Sequence, residues 1–232
     1  MVILRAIVAL GATVLLAVQA CHAGPVSSDF ASGSEGWTNI SLNWPYNNPP
    51  SISGTYGVDW TAAEGGYIYR LDPDALASYF SAPGKFLGDQ SDAYGLELRF
   101  DFRPDAMAEL NPGPHVILTG GGGTLYRDVE PPTGSVWTTR QVALLATNDW
   151  HFNSEFGPAP SESDFRSVLA NLTGVYIYAD WISGYETESL DNVILGVDSS
   201  IPEPATALAL LAGLPGLARY VHSRRKRKHC GS

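Results

Sequence analysis

Apolar and charged residues alternate strictly in Tyr94–Arg103 (YGLELRFDFR), and this alternation constrains the fold more than any other feature of the sequence. From Leu96 onward, apolar side chains occupy the even positions and charged side chains the odd positions. An extended strand places the two sets on opposite faces, whereas a helix would mix them around its axis. The segment therefore predicts an antiparallel β-strand with one face in a core and one face in water.

Other short segments rich in aliphatic and aromatic residues, separated by Gly, Pro, Asn and Asp, predict further strands. We expect them at Tyr67–Leu71, His115–Leu118, Thr124–Tyr126, Thr139–Leu145, Val175–Trp181 and Leu190–Val197. The glycine run Gly120–Gly123 is interpreted as a hairpin connection. It does not fit a phosphate-binding loop, because neither a helix start nor a Lys-Ser/Thr pair follows it.

One α-helix is predicted after Ser161, which can cap the helix together with Asp164 three residues later. The apolar residues that follow have the spacing of one helix face: Phe165, Val168, Leu169 and Leu172. One helix of about a dozen residues among about eight strands favours two packed antiparallel sheets over alternating β–α units. The predicted fold class is all-β, an antiparallel jelly-roll β-sandwich with one short helix.

The first 23 residues have the pattern of a secretory signal peptide. Arg5 precedes the largely apolar stretch Ala6–Ala20, and small residues follow it. Cleavage is expected after Ala23 or after Ala20, and the second position would expose Cys21 for lipidation. We therefore expect residues 1–23 to direct export and not to form part of the folded domain.

The last 32 residues have three parts: Pro202-Glu203-Pro204, the apolar stretch Ala205–Ala218 and the basic cluster Arg224–Lys228. The apolar stretch is shorter than the ~20 residues that a transmembrane helix needs. A basic cluster after it would stay on the cytoplasmic side of a membrane. These features predict a marginal membrane-stopping segment.

This ending resembles the PEP-CTERM sorting signal of Gram-negative bacteria, whose three parts occur in the same order. The resemblance implies a transient partner, a membrane-embedded peptidase of the exosortase type. It also implies that Pro202, Glu203 and Pro204 serve in processing. The protein would pass through the inner membrane and reach the cell surface or the exopolysaccharide matrix.

We expect residues 24–200 to form one domain. Their charge and their lack of cysteine exclude several classes of partner and site. These residues contain seven basic and twenty-three acidic residues, a formal charge of −16, and no cysteine. Such a charge would repel the nucleic-acid backbone, so no nucleic-acid partner is expected. The absence of cysteine excludes a disulfide scaffold and a thiolate zinc site.

Several motifs in this domain resemble the laminin B domain, also called laminin type IV A. The most specific is the aromatic-x-Ala-Pro-x-x-Phe-Leu-Gly-Asp pattern of Phe80–Asp89. Weaker matches are Glu35-Gly36-Trp37, Tyr178-Ala179-Asp180-Trp181 and Ser189–Leu195. The resemblance implies a non-catalytic extracellular module with a jelly-roll β-sandwich, related in shape to galactose-binding and carbohydrate-binding modules. The EGF-like repeats that flank this domain in animal laminins do not occur here, so no laminin partner is inferred.

Catalysis is not expected, because an enzyme needs a matched set of reactive groups. Residues 24–200 have two histidines, His115 and His151, and no thiol. Both histidines are interpreted as packing or surface residues. A pair of acids acting as in a glycoside hydrolase stays an alternative, and the sequence does not select which pair.

A calcium site is predicted from the family resemblance, because jelly-roll binding modules often hold a hard cation between the first and last strands. Here it would involve Asp29 or Glu35 near the start of the domain and Asp191 near its end. Calcium needs about six to eight oxygen ligands, including backbone carbonyls. The alternative is that Asp191-Asn192 only forms a turn before the last strand.

Aromatic residues supply candidate ligand contacts. Five tryptophans could either stack on sugar rings or fill the core, and burial is the default for most of them: Trp37, Trp60, Trp137, Trp150 and Trp181. Trp44 and Tyr46 in a Pro/Asn-rich loop are the preferred exposed pair. Asp89 and Gln90 are alternatives, although their turn could serve only to hold strand geometry.

The leading hypothesis is a secreted, non-catalytic module that binds polysaccharide or a surface protein in the matrix. Its acidic domain favours neutral glycans or anionic ones bridged by calcium. A structural matrix protein that uses protein contacts, without a glycan pocket, is the first alternative. A small glycan-active hydrolase is the second.

Overall fold

The computed structural model describes residues 24–43, 48–105 and 111–198. Within these ranges it has one α-helix, α1 (Glu162–Leu169), and thirteen strands. The strands are β1 (Val26–Ser28), β2 (Thr38–Leu42), β3 (Ile52–Gly57), β4 (Asp59–Thr61), β5 (Tyr67–Leu71), β6 (Ala77–Ser81), β7 (Glu97–Pro104), β8 (Val116–Gly120), β9 (Gly123–Arg127), β10 (Thr138–Ala143), β11 (Trp150–Phe152), β12 (Leu172–Tyr178) and β13 (Thr187–Val197).

The strands form two antiparallel sheets. One has the order β10-β7-β13-β5-β4, with β1 also paired to β13, and the other has the order β11-β9-β8-β12-β6-β2-β3. This arrangement confirms the all-β prediction with two sheets and one short helix. The jelly-roll connectivity stays a prediction.

The alternating segment forms β7, which lies between the edge strand β10 and the central strand β13 of the six-stranded sheet. Its even-numbered residues are buried and its odd-numbered residues are partly exposed, as predicted. Leu98, Phe100 and Phe102 are at most 2% exposed and belong to the main hydrophobic cluster. The strand begins at Glu97, three residues later than the sequence pattern indicates, because the chain is still in a turn at Tyr94.

The glycine run connects β8 and β9 as a hairpin, with Gly120 opposite Gly123. Helix α1 lies against this hairpin. A Cβ atom on Gly120 would lie 2.3 Å from the carbonyl oxygen of Val168. The absence of a side chain at this position therefore lets the helix pack directly on the sheet.

Helix α1 is capped as predicted but is shorter than predicted. Ser161 Oγ accepts from the Asp164 amide at 3.2 Å, and Asp164 Oδ2 accepts from the Ser161 amide at 3.0 Å. The helix ends at Leu169, so the expectation that Leu172 lies on the helix face is wrong. Leu172 begins β12, because its amide donates to the carbonyl of Gly88 at 2.8 Å instead of to the preceding helical turn.

Replacing Ser161 with alanine is expected to lower the free energy of unfolding by about 1 kcal/mol, since the capping hydroxyl is lost. Ser167→Ala is the control, because Ser167 is exposed in the same helix and alanine is a good helix former. Urea denaturation of both variants tests the prediction. Equal losses in the two variants would contradict a capping role for Ser161.

The two terminal segments lie outside the described residues. They include the predicted signal peptide, the processing residues Pro202, Glu203 and Pro204, and the basic cluster. Among the described residues, no helix has the length and apolar character needed to cross a bilayer. The predictions of a signal peptide and of a sorting tail therefore rest on the sequence alone.

Candidate functional site

Strand register brings side chains from three strands together on one face of the six-stranded sheet. Ser189 of β13 lies opposite Tyr69 of β5 on one side and opposite Arg103 of β7 on the other. Tyr67 precedes Tyr69 by two residues in β5 and therefore shares its face. Trp137 packs edge-on against Tyr67, with ring centroids 5.3 Å apart. We call these five residues the aromatic platform.

Arg103 is held in place between two rings of the platform. Its guanidinium carbon lies 5.0 Å from the ring centroid of Tyr67 and 4.4 Å from that of Trp137. Glu64 holds both Trp137 and Arg103 in position. Its Oε2 accepts a hydrogen bond from Trp137 Nε1 at 2.6 Å and forms an ion pair with Arg103 Nη1 at 3.1 Å. The hydrogen bond from Trp137 and the charge of Arg103 hold the pKa of Glu64 below its usual value. The platform is therefore preorganised.

An open groove of about 430 Å³ runs over four of the platform residues, Tyr67, Tyr69, Arg103 and Ser189, while Trp137 supports Tyr67 from outside the lining. Its other lining residues are Pro104, Asp105, Ser135 and Thr187. Aromatic surface with a few converging polar groups is the usual composition of a small-ligand site. A sugar ring could stack its apolar face on the aromatic surface and form hydrogen bonds from its hydroxyl groups to the polar residues.

A second open groove of about 540 Å³ lies over the glycine hairpin of the seven-stranded sheet. It is lined by Asn48, Pro49, Pro50, Thr119, Gly120, Gly121, Gly122, Gly123, Thr124, Asn153, Thr173 and Tyr176. Among the described residues of this lining, Tyr176 is the one aromatic residue, and it is 9% exposed. The described part of this groove therefore offers less surface for ring stacking than the platform does.

The calcium candidate Asp191 lies on β13 opposite Asp101 of β7. Asn192 follows it with a φ of +48°, and the register shifts here, so the pair forms a bulge inside the strand and not a turn before it. Asn192 Nδ2 donates to Asp101 Oδ2 at 2.9 Å and to Asp191 Oδ2 at 3.2 Å. Burial, followed by the charges of Asp101 and Asp29, raises the pKa of Asp191 to about 6.

The other two calcium candidates differ in their surroundings. Pairing of β1 with β13 places Ser28 opposite Val193, so Asp29 follows close to Asp191 and its charge acts on that residue. Glu35 instead pairs with Lys85 and accepts from the Phe30 amide at 2.8 Å. Although burial acts to raise it, the hydrogen bonds from Lys85 and Phe30 hold the pKa of Glu35 below its usual value. A calcium site formed by these acids stays a prediction.

The remaining predicted contacts are not on the platform. Asp89 Oδ1 accepts from the amide and hydroxyl of Ser91 at 3.1 and 2.5 Å. The Gln90 amide donates to the carbonyl of Leu169 at 2.8 Å, which ties this turn to the end of α1. These contacts are those of a turn that holds neighbouring elements in place. Trp44 and Tyr46 lie outside the described residues.

Core packing accounts for most of the other tryptophans. Trp37, Trp150 and Trp181 are at most 2% exposed, whereas Trp60 is 38% exposed and Trp137 lies at the platform. The histidines also have packing contacts. The His115 ring stacks on Trp181, with centroids 4.2 Å apart, and His151 Nδ1 lies 2.8 Å from the carbonyl oxygen of Gly157.

A group of three acids that sequence reasoning missed lies at one end of the sandwich. Asp72 follows β5, Asp180 follows β12 and Glu186 precedes β13. Carboxylate oxygens of the three residues lie within 4.8 Å of one another. The Asp72 amide donates to the Glu186 carbonyl at 2.9 Å, and Asn111 Nδ2 donates to Asp180 Oδ1 at 2.8 Å. We call Asp72, Asp180 and Glu186 the acidic pocket.

Burial raises the pKa of each of these acids: Asp72 to about 6, Asp180 to about 7 and Glu186 to about 8. Glu188, two residues after Glu186, is 1% exposed. Burial, followed by the charge of Glu186, raises the pKa of Glu188 to about 9. Glu186 and Glu188 alternate with Thr187 and share a strand face with buried Leu190. Acids on the apolar face of a strand are the sequence signal that could have located this pocket.

Comparison with known proteins gives a consistent set of relatives. Residues 79–209, more than half of the chain, match the family model "Laminin B (Domain IV)". Human laminin subunit gamma-2 is 30% identical over 73% of this chain, and Caenorhabditis elegans basement membrane proteoglycan is 26% identical over 56% of it. The chain spans 13% of the first protein and 4% of the second.

A solved structure resembles the fold. The L4b domain of human laminin alpha-2 superposes with a TM-score of 0.58, covering 69% of this chain and 90% of that chain. The two sequences are 15% identical. At this identity the similarity concerns the fold, a laminin-type β-sandwich.

Proposed function

Because the chain belongs to the laminin B (domain IV) family, we propose that it is a non-catalytic module that binds a component of the extracellular matrix or cell surface. The relatives that it matches are laminin subunits and a basement membrane proteoglycan. A polysaccharide is the ligand class that the aromatic platform supports best.

The aromatic platform is the observation that carries this proposal. Tyr67 and Tyr69 offer ring surface, while Arg103 and Ser189 offer hydrogen-bond donors in the same groove. Glu64 neutralises Arg103, so the donors are presented without a net positive charge. Together with the charge of −16 on residues 24–200, this favours a neutral glycan over an anionic one.

Replacing Tyr69 with alanine is expected to weaken glycan binding about tenfold, which corresponds to about 1.4 kcal/mol and to the loss of one stacking surface. The measurement is calorimetry of the mature protein with neutral polysaccharides selected from a glycan panel. Tyr185→Ala is the matched control, because Tyr185 is 86% exposed and lies at the acidic pocket.

The same measurements separate the alternatives. Equal binding by the wild type and Tyr69→Ala would contradict a ligand role for the platform. Self-association without glycan binding would favour the structural matrix protein. Release of reducing sugar, lost on replacement of one acid pair, would favour the hydrolase.

Export is a separate part of the proposal and is supported by the sequence of the two ends. Residues 1–23 would be removed as a signal peptide, and an exosortase-type peptidase would cleave near Pro202-Glu203-Pro204. The expected mature protein therefore lacks Arg224–Lys228 and lies at the cell surface or in the matrix. Mass spectrometry of the surface fraction tests this, and an intact basic cluster there would contradict processing.

A further inference from the structure

The acidic pocket collects like charges from three distant parts of the chain. Asp72, Asp180 and Glu186 come from the ends of β5, β12 and the start of β13, and their carboxylate oxygens lie within 4.8 Å of one another. Carboxylates at this distance repel each other unless protons or a cation lie between them. Among the described residues, no Lys, Arg or His lines the cavity of about 390 Å³ that opens in front of the pocket.

Glu186 supplies a second and independent observation. Glu186 is 1% exposed, and its Oε2 accepts from no N–H or hydroxyl group among the described residues. Its side chain lies within hydrogen-bonding reach of the Asp180 carboxyl group, with which it can share a proton or a cation. Its Oε1 accepts from the Ile182 amide at 3.3 Å. Asp72 Oδ1 is also buried, and it too has no hydrogen-bond partner among the described residues. Buried polar oxygens are nearly always satisfied, so two such atoms in one cluster call for a proton or a cation between the carboxyl groups.

We propose that Asp72, Asp180 and Glu186 bind a divalent cation, with Ca²⁺ as the occupant. The three side chains offer oxygen only, which suits a hard cation and not zinc or copper. Ca²⁺ accepts six to eight oxygen ligands in a flexible geometry, whereas Mg²⁺ demands a nearly ideal octahedron, so a partly open group of three carboxylates suits Ca²⁺ better. The open cavity leaves room for water to complete the coordination.

Bound calcium would connect the two sheets. Asp72 and Glu186 belong to the β5–β13 end of the six-stranded sheet, and Asp180 follows β12 of the seven-stranded sheet. The ion would also fix the segment between Asp180 and Glu186, which leads directly to Thr187 at the groove over the platform. This site is independent of the glycan proposal and would bind its ion whether or not a glycan binds.

Two measurements on the mature protein test the site. Thermal unfolding is followed in EDTA and then with increasing Ca²⁺. The midpoint temperature is expected to rise with the Ca²⁺ concentration. The dissociation constant obtained from this rise is expected to be about 10⁻⁴–10⁻³ M, as in other extracellular modules. Tb³⁺ luminescence excited through tryptophan is expected, because Trp181 is adjacent to Asp180. Ca²⁺ should displace the Tb³⁺. An unchanged midpoint, or Tb³⁺ luminescence that Ca²⁺ does not reduce, would overturn the proposal.

Isosteric variants locate the ion. Glu186→Gln and Asp180→Asn are expected to abolish both the Ca²⁺ shift and the Tb³⁺ signal. In EDTA they should unfold at or above the wild-type midpoint, since one of the repelling carboxylates is gone, so loss of folding does not obscure the result. Asp191→Asn is the matched control, because it removes a carboxylate from the other predicted calcium residues. A response that survives in Glu186→Gln but disappears in Asp191→Asn would assign the ion to Asp29, Glu35 and Asp191 instead.

Discussion

Replacing Trp181 with alanine is expected to lower the free energy of unfolding by about 3–5 kcal/mol, the usual range for removal of a buried large aromatic residue. The indole is 2% exposed and stacks between Phe102, at a centroid distance of 5.0 Å, and His115, at 4.2 Å. It also contacts Tyr178 edge-on at 5.4 Å. Since Phe102 lies in the six-stranded sheet and Tyr178 in the seven-stranded one, Trp181 helps to join the sheets.

Guanidinium denaturation measures this loss, which would be a large fraction of the stability of about 5–15 kcal/mol that is usual for a domain. Trp60→Ala is the matched control and is expected to lose less, because Trp60 is 38% exposed. Trp181→Phe should recover most of the stability. It keeps a stacking ring and removes an indole N–H that is buried without a partner among the described residues. Equal losses in Trp181→Ala and Trp60→Ala would contradict this account of the core.

Strands with clear hydrophobic patterns could be predicted from the sequence, and strands with buried polar residues could not. β5 was predicted with its observed bounds, and β7 with its observed faces. β2 and β6 were not predicted, although all but one residue of each is buried. Asn39 and Ser78 pair with each other inside the structure through hydrogen bonds of 2.8 and 3.2 Å. In the sequence, such residues are typical of turns, so only tertiary contact explains them.

The candidate site depends on register, which is a long-range property. Tyr69, Arg103 and Ser189 are far apart in the sequence. Tyr69 and Arg103 are partly exposed and Ser189 is 6% exposed, so no shared local feature marks them as one site. Their meeting requires that β13 lie between β5 and β7, which no local pattern specifies. Asp191 illustrates the same limit: its position near the last strand was expected, but its pairing with Asp101 follows from the register alone.

Acidification from pH 6.5 to about 4 is expected to remove about 3 kcal/mol of stability through His115. Burial, aided by the charge of Arg140, lowers the pKa of this imidazole to about 4. In the unfolded chain the ring titrates near pH 6.5. Between these values the unfolded state binds a proton that the folded state excludes, so the free energy of unfolding falls as the pH falls. The contribution is complete above pH 6.5 and is lost progressively towards pH 4.

The surroundings of the ring explain why protonation is unfavourable. His115 Nδ1 accepts from the Val129 amide at 2.9 Å, and a protonated nitrogen could not accept this bond. The Asp128 carboxylate lies 3.5 Å from Nδ1, but Asp128 is mostly exposed and compensates only in part. The ring itself is covered by Trp181 and Tyr178.

His115→Phe keeps the stack on Trp181 and removes the titrating group, so it isolates this effect. Free energies of unfolding are measured in EDTA between pH 7 and pH 4.5 for the wild type and the variant. The carboxyl groups elsewhere titrate in both proteins and cancel in the difference. We expect the wild type to lose stability relative to His115→Phe as the pH falls. Parallel curves for the two proteins would show that His115 accepts its proton in the folded state as readily as in the unfolded one.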